Sequence, residues 1–228
     1  MLIVSFDIAT EKMFLVIEKD DCTLAIHHEY STAEKYNSAM LIPAIIEQFQ
    51  KNNITPEDIT LVAINAGPGS FTGIRAGAVV ARTLGQFLNV PVIGVPSLEI
   101  YAKALQSEKE KYVILDARRS KWYTARYSSE NDIIEEPSLQ INTEVMEFIA
   151  AHNIQIITEK KLSEELKIYA PIFFEDLSED FGLILTRLAK ERFLNSQNPQ
   201  EVFAWHKLKP TYLQTPSITM PKKRIIVE

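Results

Sequence analysis

The sequence predicts an α/β fold in which mixed β-sheet carries helices on its faces, and three features predict it. Short apolar runs rich in β-branched residues crowd the first 27 residues, the apolar period changes to that of a helix over 33–50, and from residue 61 strand-like and helix-like segments alternate. Leu2 to Phe6 is the first strand, ending at Asp7. MFLVI at 13–17 is a second strand and 23–27 a third, and the acidic turn Lys19-Asp20-Asp21 between them suits a hairpin. Across 33–50, Met40, Leu41, Ala44, Ile45, Ile46 and Phe49 fit one helical face, with Pro43 in the first turns or bending the helix. Thr55-Pro56-Glu57-Asp58 has the character of a helix start. The strand LVAIN follows at 61–65, then a glycine-rich turn, then a helix to about Leu88. Pro91 to Gly94 forms another short strand, and Ser97 is placed to cap a helix running to about Gln106. The first hundred residues thus read β-β-β-α-β-α-β-α.

Beyond them, the charged run SEKEK at 107–111 reads as a surface crossover. VILDARRSKWYTARY is a strand, a turn at Arg118-Arg119-Ser120-Lys121 and an aromatic strand. Residues 143–151 and 175–194 have helical periodicity, the latter through Leu177, Phe181, Ile184, Leu185 and Leu188. After Pro199 the proline-punctuated chain reads as a tail laid over the surface. A strand ending in an acid, then a turn and a second strand, occurs at Asp7 and again at Asp116, the pattern of a duplicated fold.

Composition narrows the function. With 228 residues the chain can bury a core of one large domain or two small ones. A net charge of −6 argues against a surface that is wholly a nucleic-acid footprint. Cys22 is the only cysteine, so neither an intrachain disulfide nor a cysteine-built metal site is available. The start MLIVSFDIAT lacks a basic region and a long apolar run, and a cytoplasmic location without membrane contact is expected.

The stretch NAGPGSFTGIR, Asn65 to Arg75, admits two readings. Gly67, Gly69 and Gly73 allow tight turning and close approach, Ser70 or Thr72 can cap the next helix, and N–H groups at such a helix start can cradle an anion. The same residues can equally serve only to shape the turn. There is no lysine where a Walker A loop needs one, and no acidic ribose ligand at the distance a GxGxxG fingerprint needs. On the helix beyond, Gly77, Ala81 and Gly85 share a face that Ala78 broadens. That stripe either packs tightly on the chain's own sheet or opens a shallow groove for a partner, with Ile74 and Leu84 at its edges.

FDIATEK, VAINAGPGSFTGIRAG, VIGVPSLE and LDARRSKWY together resemble the bacterial TsaB (YeaZ) family, and PTYL at 210–213 is similar to a short motif near that family's C-terminus. The resemblance covers the first 125 residues well. It implies a two-lobed fold of the actin, sugar kinase and Hsp70 type, with mixed sheets flanked by helices. The first lobe would span 1–106, a smaller second lobe 107–200, and a tail 201–228 would pack on them. It also implies a non-catalytic paralogue of TsaD, the enzyme that transfers threonylcarbamoyl to tRNA adenosine 37. The implied partners are a TsaD-like transferase, a TsaE-like ATPase that joins the pair, or a second copy through the same surface. Contact with tRNA would be indirect.

From that resemblance, the partner surface is expected on the helices at 33–50 and 71–88, through Met40, Ile45, Ile74, Gly77, Ala78, Ala81 and Gly85. Asp7, Thr10, Gly67 and Gly69 are the positions compatible with a nucleotide. No cofactor is expected. TsaD-like proteins carry an HxxxH metal pair after a strand and loop similar to VIGVPSLE, and the matching positions here are Ser97 and Tyr101. A hydroxyl and a phenol cannot replace two neutral imidazoles on a transition metal. The histidines His27, His28, His152 and His206 are scattered, so neither metal ligands nor catalytic residues are expected. Family members often have histidine where Asn37 stands in NSAMLIP.

Other readings stay open. A small-molecule kinase or carbamoyltransferase of the same fold would need Asp7 or Asp116 as its acid. A peptidase would need Ser70, but GPGSFTG is not GxSxG. The basic hairpin with Arg118, Arg119, Lys121 and Arg126 beside Trp122 and Tyr123 either meets RNA or is a solvated turn whose Trp122 is core.

Overall fold

The computed structural model describes residues 1–10, 12–32 and 36–214. Two five-stranded mixed sheets form the frame. The first contains β1 (Leu2–Asp7), β2 (Lys12–Lys19), β3 (Cys22–Tyr30), β4 (Leu61–Gly67) and β5 (Val92–Pro96), in the order β3-β2-β1-β4-β5. Strands β1, β2 and β3 are antiparallel neighbours, whereas β4 and β5 extend the sheet in parallel. The second sheet contains β6 (Lys111–Asp116), β7 (Lys121–Tyr127), β8 (Ile133–Ile141), β9 (Gln155–Thr158) and β10 (Ile172–Phe173), in the order β10-β9-β6-β7-β8. Read from β8, this is the order of the first sheet again, with the same antiparallel and parallel pairings. The repeated strand–acid–turn at Asp7 and Asp116 therefore marks a real duplication, and the two-lobed α/β architecture follows from it.

Helices α1 (Asn37–Asn52) and α2 (Phe71–Leu88) cover one face of the first sheet, burying Leu41, Ala44, Phe49, Ala78 and Ala81 against Val4, Phe6, Leu15 and Ile64. Pro43 is the seventh residue of α1, past the first turn, so the helix forgoes the one N–H bond that this position would donate to the Ala39 carbonyl. The opposite face carries α6 (Phe181–Asn195) and α3 (Ser97–Lys103). Residue 200 was expected to end the second lobe, but α6 packs Ile184, Leu185, Leu188 and Ala189 on Ile3, Leu61 and Ile93 of the first sheet. Packing, not chain order, assigns it there. Helix α3 is the hub: Ile100 and Ala104 just beyond it face the first sheet, while Leu98, Tyr101 and Ala102 face Val113, Leu115 and Ile157 of the second. The far side of the second sheet is closed by α4 (Asn142–Ala151) and the helical turn α5 (Ser163–Leu166), over Tyr112, Ile114 and Trp122. A last turn, α7 (Pro199–Val202), leads back to the first lobe. The tail expected at 201–228 is described only to Gln214.

Three strands escape a reading of the sequence. β8 is an edge strand, paired only with β7, so IIEEPSLQI keeps acidic residues and a proline that an edge tolerates. β9 and β10 are four and two residues long, too short to show a period. Ser97 is also not the cap of α3. Pro96 holds that position, and the Ser97 hydroxyl turns to the glycine-rich loop instead. Where α3 ends, the fully buried Lys111 places its ammonium on the carbonyls of Ala102 and Leu105, each at 3.2 Å, and on Asn131 Oδ1. Burial pushes its pKa down to about 8.

Candidate functional site

Two features stand out, the cleft between the lobes and a groove on the outer face of α1 and α2. The cleft, about 700 Å³, has the glycine-rich loop on one wall and the β6–β7 turn on the other. Ala9 and Thr10 line it, and Asp7, at the end of β1 just before them, is buried behind the lining at 4% exposure. Its Oδ1 accepts from the Ala9 N–H at 2.7 Å and its Oδ2 from Asn65 Nδ2 at 2.8 Å. Asn65 Oδ1 in turn accepts from the Gly67 N–H at 2.8 Å and the Ser97 hydroxyl at 2.7 Å, a hydroxyl also 2.6 Å from the Pro68 carbonyl. The chain thus links Asp7, Asn65, the loop and Ser97 into one buried hydrogen-bonded network.

The loop is held the same way. The Ser70 N–H donates to the Ala9 carbonyl at 2.7 Å, and the Ser70 hydroxyl caps α2 by accepting from the Gly73 N–H at 3.3 Å. Gly67 has φ of 97°, which favours glycine. A Cβ on Gly69 would sit 2.6 Å from the Ala9 carbonyl oxygen. These residues shape the turn and seat it on the β1 end. Thr10 is half-buried, donating from its hydroxyl to the Lys12 carbonyl at 2.8 Å and accepting from Asn37 Nδ2 at 2.7 Å through its own carbonyl. Asn37, the position where relatives often have histidine, is therefore a tie between α1 and the β1–β2 turn.

Burial pushes the Asp7 carboxyl up to about 6, against hydrogen bonds from Asn65 and Ala9 that favour the ionised form. Its folded-state pKa lies above the ordinary 3.8. The folded chain therefore holds this proton more tightly, and the group's contribution to stability is full below about pH 4 and lost as the pH rises to about 6. Asp7→Asn is expected to erase that slope, which is on the order of 3 kcal/mol in the wild type. Urea unfolding at stepped pH measures it, and an unchanged slope in the variant would assign the effect to another group.

On the other wall, the Asp116 N–H donates to Glu159 Oε1 at 2.6 Å, and Lys161 lies 3.0 Å from Glu159 Oε2 and 3.6 Å from Asp116 Oδ2. Burial raises the Glu159 carboxyl pKa. Arg118 and Arg119 stand at the mouth, both with left-handed φ, of 65° and 53°. Trp122 is core at 2% exposure, and Arg126 is paired with Glu135 at 2.9 Å and Glu110 at 3.3 Å. Of the two aromatic residues that follow the turn, Trp122 is therefore packed in the core, while Tyr123 lines the cleft with Arg118 and Arg119.

Ser97 and Tyr101 are both buried, Tyr101 stacked 3.9 Å from Phe174 and edge-on to Phe181. Burial, with Asp7 and Glu159 nearby, holds the Tyr101 phenol well above its usual pKa. It is a neutral core ring. Two of the histidines are engaged away from this position: His28 pairs with Asp180, and His152 bonds the Phe148 carbonyl at 2.7 Å. Among the described residues no group of three or more His, Cys, Asp or Glu is placed to hold a metal ion.

The second feature corrects an expectation. Met40, Ile45, Ile74, Gly77, Ala78, Ala81 and Gly85 are all buried within this chain. A Cβ on Gly77 would meet Ile8 at 3.5 Å and Phe6 at 3.9 Å, and one on Gly85 would meet Val92 at 2.3 Å and Trp205 at 2.9 Å. The small-residue stripe is what lets α2 lie close on its own sheet, and Ile45 only floors the groove outside it. That groove, about 480 Å³, is lined by Ile42, Ile46 and Phe49 of α1 and Val79, Thr83 and Leu84 of α2. Ile42 and Ile46 are each 52% exposed, Val79 64%, and Phe87 further along α2 is 84% exposed. Periodicity had already placed α1 and α2 on the page, and the apolar residues four apart on their outer sides were the available signal for this face.

The fold and these sites define a two-lobed protein with a self-bonded cleft and an exposed apolar helix pair. The family model described as TsaD: tRNA N6-adenosine threonylcarbamoyltransferase matches residues 28–183. The TsaB protein of Bacillus subtilis is 31% identical over 138 residues, covering 60% of this chain and 59% of that protein. The TsaB protein of Escherichia coli is 29% identical over 135 residues, covering 58% and 57%. Both are called tRNA threonylcarbamoyladenosine biosynthesis proteins, and the chain spans less than two thirds of their length in these matches. YeaZ from Pseudomonas aeruginosa shares the fold, with a TM-score of 0.73 at 18% identity over 93% of this chain and 99% of that one. The chain belongs to the TsaD family and, within it, to the TsaB (YeaZ) family. Among the described residues no helix is long and apolar enough to cross a membrane.

Proposed function

We propose that this chain is a non-catalytic subunit that pairs with a TsaD-like threonylcarbamoyltransferase in the synthesis of threonylcarbamoyladenosine on tRNA. The observation that carries this reading is the exposed apolar groove of α1 and α2. Isolated apolar side chains are ordinary at a surface, but Ile42, Ile46 and Val79 line one concave patch. The cleft supports the same reading. Asp7, the acid that a kinase-like or carbamoyltransferase-like enzyme would use, already accepts two hydrogen bonds, and the positions matching the paralogue's metal ligands are the buried Ser97 and Tyr101. Ser70 caps a helix and is not set up as a peptidase nucleophile. A TsaE-like ATPase belongs to the wider assembly in this reading, and tRNA is met through the partner.

Sedimentation of the chain alone and mixed with the TsaD-like protein of the same organism tests the proposal. A stable one-to-one complex is expected. Self-association without a mixed complex would give the groove to a second copy, and a monomer indifferent to the partner would overturn the reading.

A further inference from the structure

Residues beyond α7 return to the first lobe and then leave it. Phe203 accepts from the Val92 N–H at 2.8 Å, and Leu208 is buried against Gly94, where a Cβ would lie 2.9 Å from its Cδ1. The Thr211 N–H donates to the Ala66 carbonyl at 2.7 Å, continuing past the end of β4. Tyr212 packs its ring 5.1 Å from that of Phe71, and its hydroxyl accepts from Arg75 Nε at 3.1 Å. The Arg75 guanidinium also covers the Phe71 ring at 4.0 Å. Then the strap reaches the opposite wall, where the Tyr123 hydroxyl donates to Gln214 Oε1 at 3.4 Å. Thr211 to Gln214 thus line the cleft together with the glycine-rich loop and the β6–β7 turn.

We propose that Thr211–Gln214 is an intramolecular latch that runs along the interlobe cleft and ties its two walls together. Helix α3 already packs on both sheets, and a tie across the cleft would further fix the angle between the lobes. Here the chain's own strap spans the cleft, with a firm anchor on the first lobe and a long, weak hydrogen bond on the second. Such an arrangement opens by releasing the second lobe first, with the strap still seated on Ala66 and Phe71. The inference stands on these contacts and does not depend on the partner proposed above.

Hydrogen exchange of the full chain, followed by mass spectrometry, tests it. Tyr212→Ala removes the side-chain part of the first-lobe anchor, on Phe71 and Arg75, and Tyr123→Phe removes only the hydrogen bond to Gln214. The first is expected to speed exchange about tenfold in both 66–72 and 117–123, with α4 unchanged. The second should speed 117–123 alone. If Tyr212→Ala loosens the entire chain, Tyr123→Phe decides. Wild-type exchange at 117–123 in the deciding variant would overturn the latch and leave the strap as a dressing of the first lobe.

Discussion

Replacing Val79 by glutamate is expected to abolish the complex with a TsaD-like partner while leaving the subunit folded. Val79 is 64% exposed, so the folded chain tolerates a charge there almost without cost. Surface substitutions away from special features stay within about 0.5 kcal/mol, which for a chain of this size is a melting shift of about 2 °C or less. In a complex seated on the groove, the carboxylate would lose water among Ile42, Ile46 and Leu84 with no partner charge. An unpaired charge in such a place costs about 3 kcal/mol or more, which weakens binding at least about a hundredfold. Sedimentation of the variant with the partner measures the loss, and wild-type affinity would remove α2 from the interface. A bulky substitution at Gly77, such as Gly77→Trp, would not test the same interface. Gly77 looks onto Ile8 and Phe6, so an indole there would break the fold before it blocked any partner.

The second large effect is at the start of α2. Gly73→Ala should lower stability by about 3 kcal/mol, the upper end of what overpacking usually costs. Its Cβ would fall 1.8 Å from the Ile8 carbonyl oxygen and 2.8 Å from the Ile8 carbonyl carbon. Both are backbone atoms, so no rotamer change relieves the overlap, and the first turn of α2 must lift from the end of β1. Against a total stability of about 5–15 kcal/mol, that loss is a large share, and a fall of about 6–12 °C in Tm is expected. Gly77→Ala is the matched control. Its Cβ meets nothing closer than 3.5 Å, and replacing an interior helical glycine by alanine gains up to about 1 kcal/mol. Thermal unfolding of the two variants side by side checks the pair. A Gly73→Ala variant as stable as wild type would mean the loop and the β1 end are not packed as described.

Both predictions turn on a point that periodicity could not settle. Helical spacing shows that Gly77, Ala81 and Gly85 share a face, and that Val79, Thr83 and Phe87 share another. It does not show which body covers each face. Small residues permit close approach, and the sequence left open whether the body that approaches is the chain's own sheet or a partner. The neighbour is the first sheet, with Val92 of β5 and Trp205 closing on Gly85.

The sequence by itself determined the local order of the first hundred residues, because most strands there are buried, the edge strand β3 excepted, and α1 and α2 each have an apolar face. It also carried the duplication, through acids at the ends of two equivalent strands, and the family, through blocks such as VAINAGPGSFTGIRAG. Only the tertiary structure decided the rest. Edge and short strands of the second sheet are set by their pairing, β8 with β7, β9 with β6 and β10 with β9, rather than by their own pattern. Helix α6 follows residues of the second lobe in the chain yet completes the core of the first. The glycine-rich turn, equally suited in sequence to an anion or to a bend, is seated on Ile8 and Ala9, because its N–H groups and glycines meet backbone there. Such choices depend on contacts between residues far apart in the chain, and no local pattern of residue types encodes them.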